Sequence, residues 1–322
     1  MVIPERPRLS VVMPVYNAER HLTQALESVL GQSCADFELV VVDDGSSDGS
    51  AEIVRRFAER DRRIVARFGP RRGVAAARNE CVHLARAELL AVMDADDVAE
   101  PRRLEVQLGY LDGHPECVAL GGQLLCIDED GDPLWPTELP LDHDTIDARL
   151  MAGYGGALAN PAAVLRRAAV IEAGGYRAHF KFGTEDFDLL LRLAELGRLA
   201  NLPDILVRYR LHPASLTARS RAGQLEEAAS AIRDACTRRG VARRDPEVRP
   251  APDRSEIDEL AHRAMKAREH GHARTARKYA IRTLGAAPLT PLAWRVAAMV
   301  LIGARRRSRR LQQPGDGVKR PG

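Results

Sequence analysis

At 322 residues and 45% apolar content the chain can bury a full core, which excludes a disordered protein and suggests one large domain with an appendage. Its formal net charge of +3 belongs to the tail: residues 305 to 322 hold seven Lys or Arg against one Asp, a local +6 that leaves −3 on residues 1 to 304. A main domain with that balance lacks the basic face that phosphate neutralisation requires, so nucleic-acid binding has little support.

Five cysteines (Cys34, Cys81, Cys117, Cys126, Cys236) are odd in number and contain no Cys-x-x-Cys pair. That pattern argues against a disulfide framework or a zinc knuckle, and makes the reduced cytoplasm the expected localisation. Residues 1 to 8 carry two prolines and both charge signs, unlike a secretory signal. No run reaches the roughly 18 apolar residues of a membrane span.

Buried strands alternate with helical patterns in the first third of the chain, the mark of a parallel sheet with crossover helices. Strands are expected at Leu9 to Met13, Phe37 to Val42, Ile64 to Phe68 and Leu89 to Met93. Between them, Leu22, Ala25, Leu26, Val29 and Leu30 form one helical stripe, stopped by Gly31 where a C-terminal cap prefers glycine. A shorter helix is expected around Ile53 to Phe57 and a third from Gly73 to Ala85. Leu104, Leu108 and Leu111 continue with helical spacing, and Val118 to Leu120 is the next strand. Asp130-Gly131 marks a hairpin turn. Leu134 to Gly156 reads as loops with a short helix, an acceptor-side insertion. Ala163 to Leu165, a helix at Ala168 to Ala173, the Gly174-Gly175-Tyr176 break and an amphipathic helix from Glu185 to Leu196 complete the main body. The pattern is helical from Gly223 onward, with an Arg- and Pro-rich linker at 239 to 254 and a helical hairpin built on Ile257 to Ala264 and Ala273 to Leu284.

The acids stand out because they follow the strands. Asp43-Asp44 follows a run that reads as buried on both faces, Asp94-Ala95-Asp96-Asp97 follows another, and Glu185-Asp186 comes much later. Like charges gathered at the carboxyl ends of parallel strands lie where open α/β sheets bind ligands. The Asp-Ala-Asp spacing lets two carboxylates converge on an oxygen-loving divalent cation that keeps positions for water and phosphate. Each motif also has a purely structural reading. Tyr16 presents a ring to a flat base or packs at a strand end, and Asp44 accepts the imide N–H of a pyrimidine or belongs to a turn that caps a helix. Arg72 to Asn79 opens an Ala-rich helix, or cradles a phosphate with Arg78 adding a donor fork. Glu185 and Asp186 complement a helix dipole or do chemistry. Pro14 to Asn17 lacks the glycine fingerprint of a dinucleotide fold.

Taken together and in order, Val11 to Asn17, Val42 to Asp48, Gly73 to Asn79, Met93 to Asp97 with Pro101 and Arg103-Leu104, Gly174 to Tyr176, Glu185-Asp186 with Leu190 to Leu193, and Tyr209 to His212 resemble the family 2 glycosyltransferases. The resemblance covers about residues 8 to 217. It implies an A-type glycosyltransferase fold, α/β with a mixed, mainly parallel sheet, and inverting transfer of a single sugar from a nucleotide-diphosphate donor, UDP- or dTDP-type favoured, with Mg or Mn. On the matching positions it implies that Pro14, Tyr16, Asn17, Asp44, Arg78 and Asp94 bind the donor. Asp96, Asp94 and His212 hold the metal, Asp186 is the general base, and Glu185, Gly175 and Tyr176 lie on the acceptor side. The Gln-x-x-Arg-Trp segment of processive polysaccharide synthases does not follow Glu185-Asp186.

The expected organisation is a catalytic domain at 1 to 222, divided near 112 into donor and acceptor halves, a helical extension at 223 to 304, and a basic tail at 305 to 322. The acceptor is a saccharide or a lipid-linked saccharide. Leu292 to Ala304, nearly all apolar and followed by Arg305 to Arg310, either lies on an anionic membrane or packs on the protein body. A sugar-nucleotide pyrophosphorylase would show a Gly-rich loop and Lys after the first strand. A catalytically silent membrane-associated scaffold would not require the acids from Asp44 to Asp186.

Overall fold

A computed structural model describes residues 7–212, 221–242 and 255–310. Most of the expected linker and of the basic tail lies outside these residues. The strands are β1 (Leu9–Val15), β2 (Phe37–Asp43), β3 (Ile64–Phe68), β4 (Leu89–Val92), β5 (Val98–Ala99), β6 (Cys117–Ile127), β7 (Pro133–Pro136), β8 (Val164–Arg166) and β9 (Arg198–Arg210). The helices are α1 (Glu19–Leu30), α2 (Ser50–Arg60), α3 (Val74–Leu84), α4 (Arg103–Gly113), α5 (His143–Met151), α6 (Arg167–Glu172), α7 (Glu185–Leu193), α8 (Arg221–Arg239), α9 (Glu256–Glu269), α10 (Ala273–Ala286) and α11 (Pro291–Arg310).

The chain divides into two compact units, residues 1–129 with 136–250, and residues 130–135 with 251–322. The first contains the sheet, in the order β3-β2-β1-β4-β8-β6-β9-β5. The pairs β3-β2, β2-β1 and β1-β4 are parallel, β8 runs antiparallel to both β4 and β6, and β6-β9 is parallel. Every residue of β2 is buried, as a strand covered on both faces requires. One core packs α1, α2 and α4 on one face of the sheet, and a second packs α3, α5, α6, α7 and α8 on the other. The carboxyl ends of β1, β2 and β4 therefore open on one edge, and the acids stand there.

Three expectations change. Gly31 ends α1 with φ −85°, so it serves there without a left-handed backbone. The strand expected at 118 to 120 is the middle of the longer β6, and β9 replaces a stretch with no assigned strand. A Cβ at Gly121 would collide with the Asn201 side chain and one at Gly122 with Leu206, so these glycines mark close approach of two strands. Finally, Ala231, Ile232, Ala235 and Cys236 of α8 are buried in the second core, so the first unit continues well past 222.

The second unit groups α9, α10 and α11, where a helical hairpin was expected, with residues 130–135. Ser255 caps α9 by accepting from Asp258 N, and Lys278 pairs with Asp130 and Asp132 at 2.7 and 2.8 Å. On α11, Ala293, Val296, Ala297 and Val300 are buried while Trp294 is 62% exposed. The apolar stripe of this helix is thus largely consumed by packing. Among the described residues no helix is long and apolar enough to cross a membrane.

Candidate active site

The loops after β1 and β2 brace each other. Asn17 adopts φ 49°, and its backbone N–H donates to Ser46 Oγ while its side-chain oxygen accepts from Ser47 N. Tyr16 stays 40% exposed with the Arg71 guanidinium 4.2 Å from its ring centre, and Pro14 is half-buried. Asp44 spends both oxygens on the backbone: Oδ1 accepts from Arg72 N at 2.7 Å and Oδ2 from Gly73 N at 2.8 Å. It therefore anchors the entry to α3, where Gly73 has φ 96°. Asp43, noted with Asp44 in the sequence but given no role of its own, accepts from Ser46 N through Oδ1 and keeps Oδ2 buried with no partner.

Arg78, 8% exposed on α3, is the hub. Its Nη2 lies 3.2 Å from Asp94 Oδ1 and its Nε 3.4 Å from Glu185 Oε1. The Tyr176 ring centre lies 5.6 Å away, and Asn160, with its amide oxygen turned to the guanidinium, accepts from both terminal nitrogens. Burial opposes the charge on Arg78, but Asp94 and Glu185 outweigh it and hold the group cationic beyond the usual arginine range. Burial pushes Asp94 up to about 6 and Glu185 up to about 7 against the opposing pull of Arg78, and burial raises Asp186 as well.

Glu185 is 1% exposed, whereas Asp186 is half-buried and accepts from Phe187 N at 2.7 Å. Tyr176 is 3% exposed. Neither Glu185 nor Tyr176 offers a surface to an acceptor, contrary to expectation; both form the layer beneath. Gly175 is fixed in the same layer, since Asn79 bonds the Tyr176 backbone twice, accepting from its N–H at 2.8 Å and donating to its C=O at 2.7 Å. A Cβ at Gly175, φ 67°, would meet the Asn79 side-chain oxygen at 2.6 Å.

On the other side of Asp94, Asp96 Oδ2 lies 2.8 Å from His212 Nε2. Arg210 locks this corner: its backbone N–H donates to Asp97, and its side chain donates to the Asp96 and Asp128 carbonyls and to Gln24. Asp97 keeps one oxygen buried without a partner, and burial with the Asp96 charge raises it well above the carboxylate range. Asp94 pairs with Arg78, and the burial that raises it is reinforced by the Asp96 charge. Among the described residues no three His, Cys, Asp or Glu groups converge on one ion position. Two adjacent donors, a carboxylate and an imidazole, do fit a divalent ion that completes its shell with diphosphate oxygens and water.

Residues 10–174, just over half the chain, match the model named glycosyl transferase family 2. The amylovoran biosynthesis glycosyltransferase AmsE of Erwinia amylovora is 33% identical over 62% of this chain and 75% of its own. The O-antigen biosynthesis glycosyltransferase WbnJ of Escherichia coli is 29% identical over 72% of this chain and 91% of its own. In fold, the chain resembles the crystal structure of S. aureus TarS 1-349 in complex with UDP-GlcNAc, with a TM-score of 0.55 at 17% identity over 95% of this chain and 92% of that one. The α/β sheet with its acid-lined carboxyl edge is that of an A-type glycosyltransferase. The chain belongs to glycosyl transferase family 2.

Proposed function

We propose that this protein is an inverting glycosyltransferase that adds one sugar per encounter, from a nucleotide-diphosphate donor to a hydroxyl of a saccharide or lipid-linked acceptor. The observation that carries the reading is the Arg78 hub, which joins donor-side Asp94 to the buried Glu185 and leaves Asp186 as the half-buried acid beside them. The names of AmsE and WbnJ support a role in amylovoran- or O-antigen-like biosynthesis.

In this reading the loops after β1 and β2 hold the nucleoside. The exposed Tyr16 ring lies against the base, and the unpartnered Asp43 oxygen is the candidate for the imide N–H of a UDP- or dTDP-type donor, with Asp44 fixing the loop beside it. Asp96 and His212 hold a divalent ion, Mg or Mn, whose chemistry when bound is to neutralise charge on the leaving diphosphate. Asp186 accepts the acceptor hydroxyl proton as that oxygen bonds to the anomeric carbon and the carbon–diphosphate bond breaks, giving an inverted glycoside and a nucleoside diphosphate. Its raised proton affinity suits a base that works near neutrality. Exposed Leu289 and Trp294 in the second unit, near a helix that runs into Arg305 to Arg310, support contact with the cytoplasmic face of an anionic membrane.

The test is slow donor hydrolysis, with water replacing the acceptor, across a panel including UDP-GlcNAc, dTDP-glucose and GDP-mannose with Mn²⁺. Asp186→Asn keeps shape but removes the base, and should lower turnover by roughly two to four orders of magnitude with nucleotide affinity nearly unchanged. Near-normal turnover in that variant would remove Asp186 from its role.

A further inference from the structure

The loop that delivers Asp186 takes its support from a helix much later in the chain. Between Arg177 and Thr184, the backbone N–H groups of Lys181 and Phe182 donate to the two oxygens of Glu227 on α8, at 2.6 and 3.1 Å. The Thr184 hydroxyl donates to the same carboxylate. Gln224 donates to the Phe182 carbonyl at 2.9 Å, and a Cβ at Gly223 would collide with the Phe182 ring. At the loop's start, Arg177 pairs with Asp234 of the same helix at 3.2 Å.

Thr184 makes the arrangement informative. It is the N-cap residue of α7, where a threonine hydroxyl ordinarily accepts from an N–H of the helix's first turn. Here it caps nothing and is drawn to Glu227. The residue two places before Asp186 thus takes its position from α8, and Glu227 receives three donors from four successive residues. The far half of α8 is anchored independently: Arg239 donates to Asp147 and to the Leu191 carbonyl, and Arg238 to Glu195. A helix fixed in the core at one end and bonded to the loop at the other transmits the placement of the core to the base.

We propose that Glu227 is a positioning residue for transfer: it sets where Asp186 stands relative to the anomeric carbon while taking no part in holding the donor. The inference rests on Asp186 as base, so both are measured on the panel donor that wild type hydrolyses fastest. Misplacing a reacting group by about 1 Å can cost on the order of 10²-fold, and Glu227→Ala should lose turnover on that scale. Glu227→Gln, which keeps the length and one acceptor oxygen, should lose less. UDP affinity by calorimetry should stay within about twofold in both, because the residues that Glu227 holds, Lys181, Phe182 and Thr184, are not among those assigned to the nucleoside. Should the alanine variant fail to fold, Gly223→Ala, which displaces Phe182 without touching the carboxylate, should show the same split. A folded Glu227→Ala with turnover within about twofold of wild type overturns the proposal, as does an equal fall in turnover and UDP affinity. If Asp186→Asn itself leaves hydrolysis intact, it is the base assignment that has failed.

Discussion

A glutamate that is 1% exposed beside a shared guanidinium holds its proton over more of the pH range than a glutamate in water, and stability must follow. The value for Glu185 is raised in the folded chain to about 7, so its contribution is fully present below the ordinary glutamate range and is lost as pH rises through about 7. Asp94 and Asp97 are raised too, and the informative quantity is therefore a difference. Wild type should melt at a lower temperature at pH near 8 than near 5.5, and Glu185→Gln should flatten that slope; parallel profiles for the two proteins would refute it. Asp43-Asp44 and Asp94 to Asp97 were legible in the sequence because each group follows an apolar run where a fold gains little from charge. Glu185-Asp186, at a helix start, stood out only through the order of the motifs together. Their division of labour was not legible. That Asp44 is consumed by two backbone N–H groups, while Asp43 keeps a bare oxygen, depends on a loop folded back from residues 70–73. Nor does any local pattern distinguish Glu227 from an ordinary surface acid on a helix.

Among the elements, the parallel strands at the front of the sheet were visible as continuous apolar runs, and α1 and α7 as stripes. The pairing of β6 with β9 was hidden for two reasons. Gly121-Gly122 resembles a turn, and Pro203-Asp204 interrupts the second strand, where the register shifts between Gly122 and Leu124. The glycines are there because Asn201 and Leu206 fill the space a side chain would need. Gly122→Ala should force Leu206, 2% exposed, out of its packing and cost about 1–3 kcal/mol. Urea denaturation measures this, and an unchanged midpoint would show that the strands separate without strain.

For the molecule as a whole, the boundary that matters lies near 250 and not near 222. A chain ending at Pro250 should fold and keep donor hydrolysis, whereas one ending at residue 222 loses α8, exposes the second core and should be inactive. Equal activity of the two would separate α8 from the catalytic body. The second unit brings ten Lys or Arg and no acid between Arg274 and Arg310. Liposomes rich in anionic lipid should therefore sediment the full chain at low salt and leave the shorter one in the supernatant. Equal recovery of both would remove the membrane from the account.

The bonds that finish the site also dictate when in the life of the chain it can exist. Asp96 meets His212 across 116 positions, Arg210 meets Gln24 across 186, and Asn79 meets Tyr176 across 97. The β1–β2 and β2–β3 pairs close over far shorter spans, Leu9 meeting Phe37 and Leu39 meeting Ile64, so they can order while later residues are still being made, and the candidate site must assemble last. Substitutions such as Asn79→Ala should then speed unfolding and leave the folding rate nearly untouched, which the two arms of a chevron plot resolve. A slowed folding arm would place these contacts in the nucleus instead.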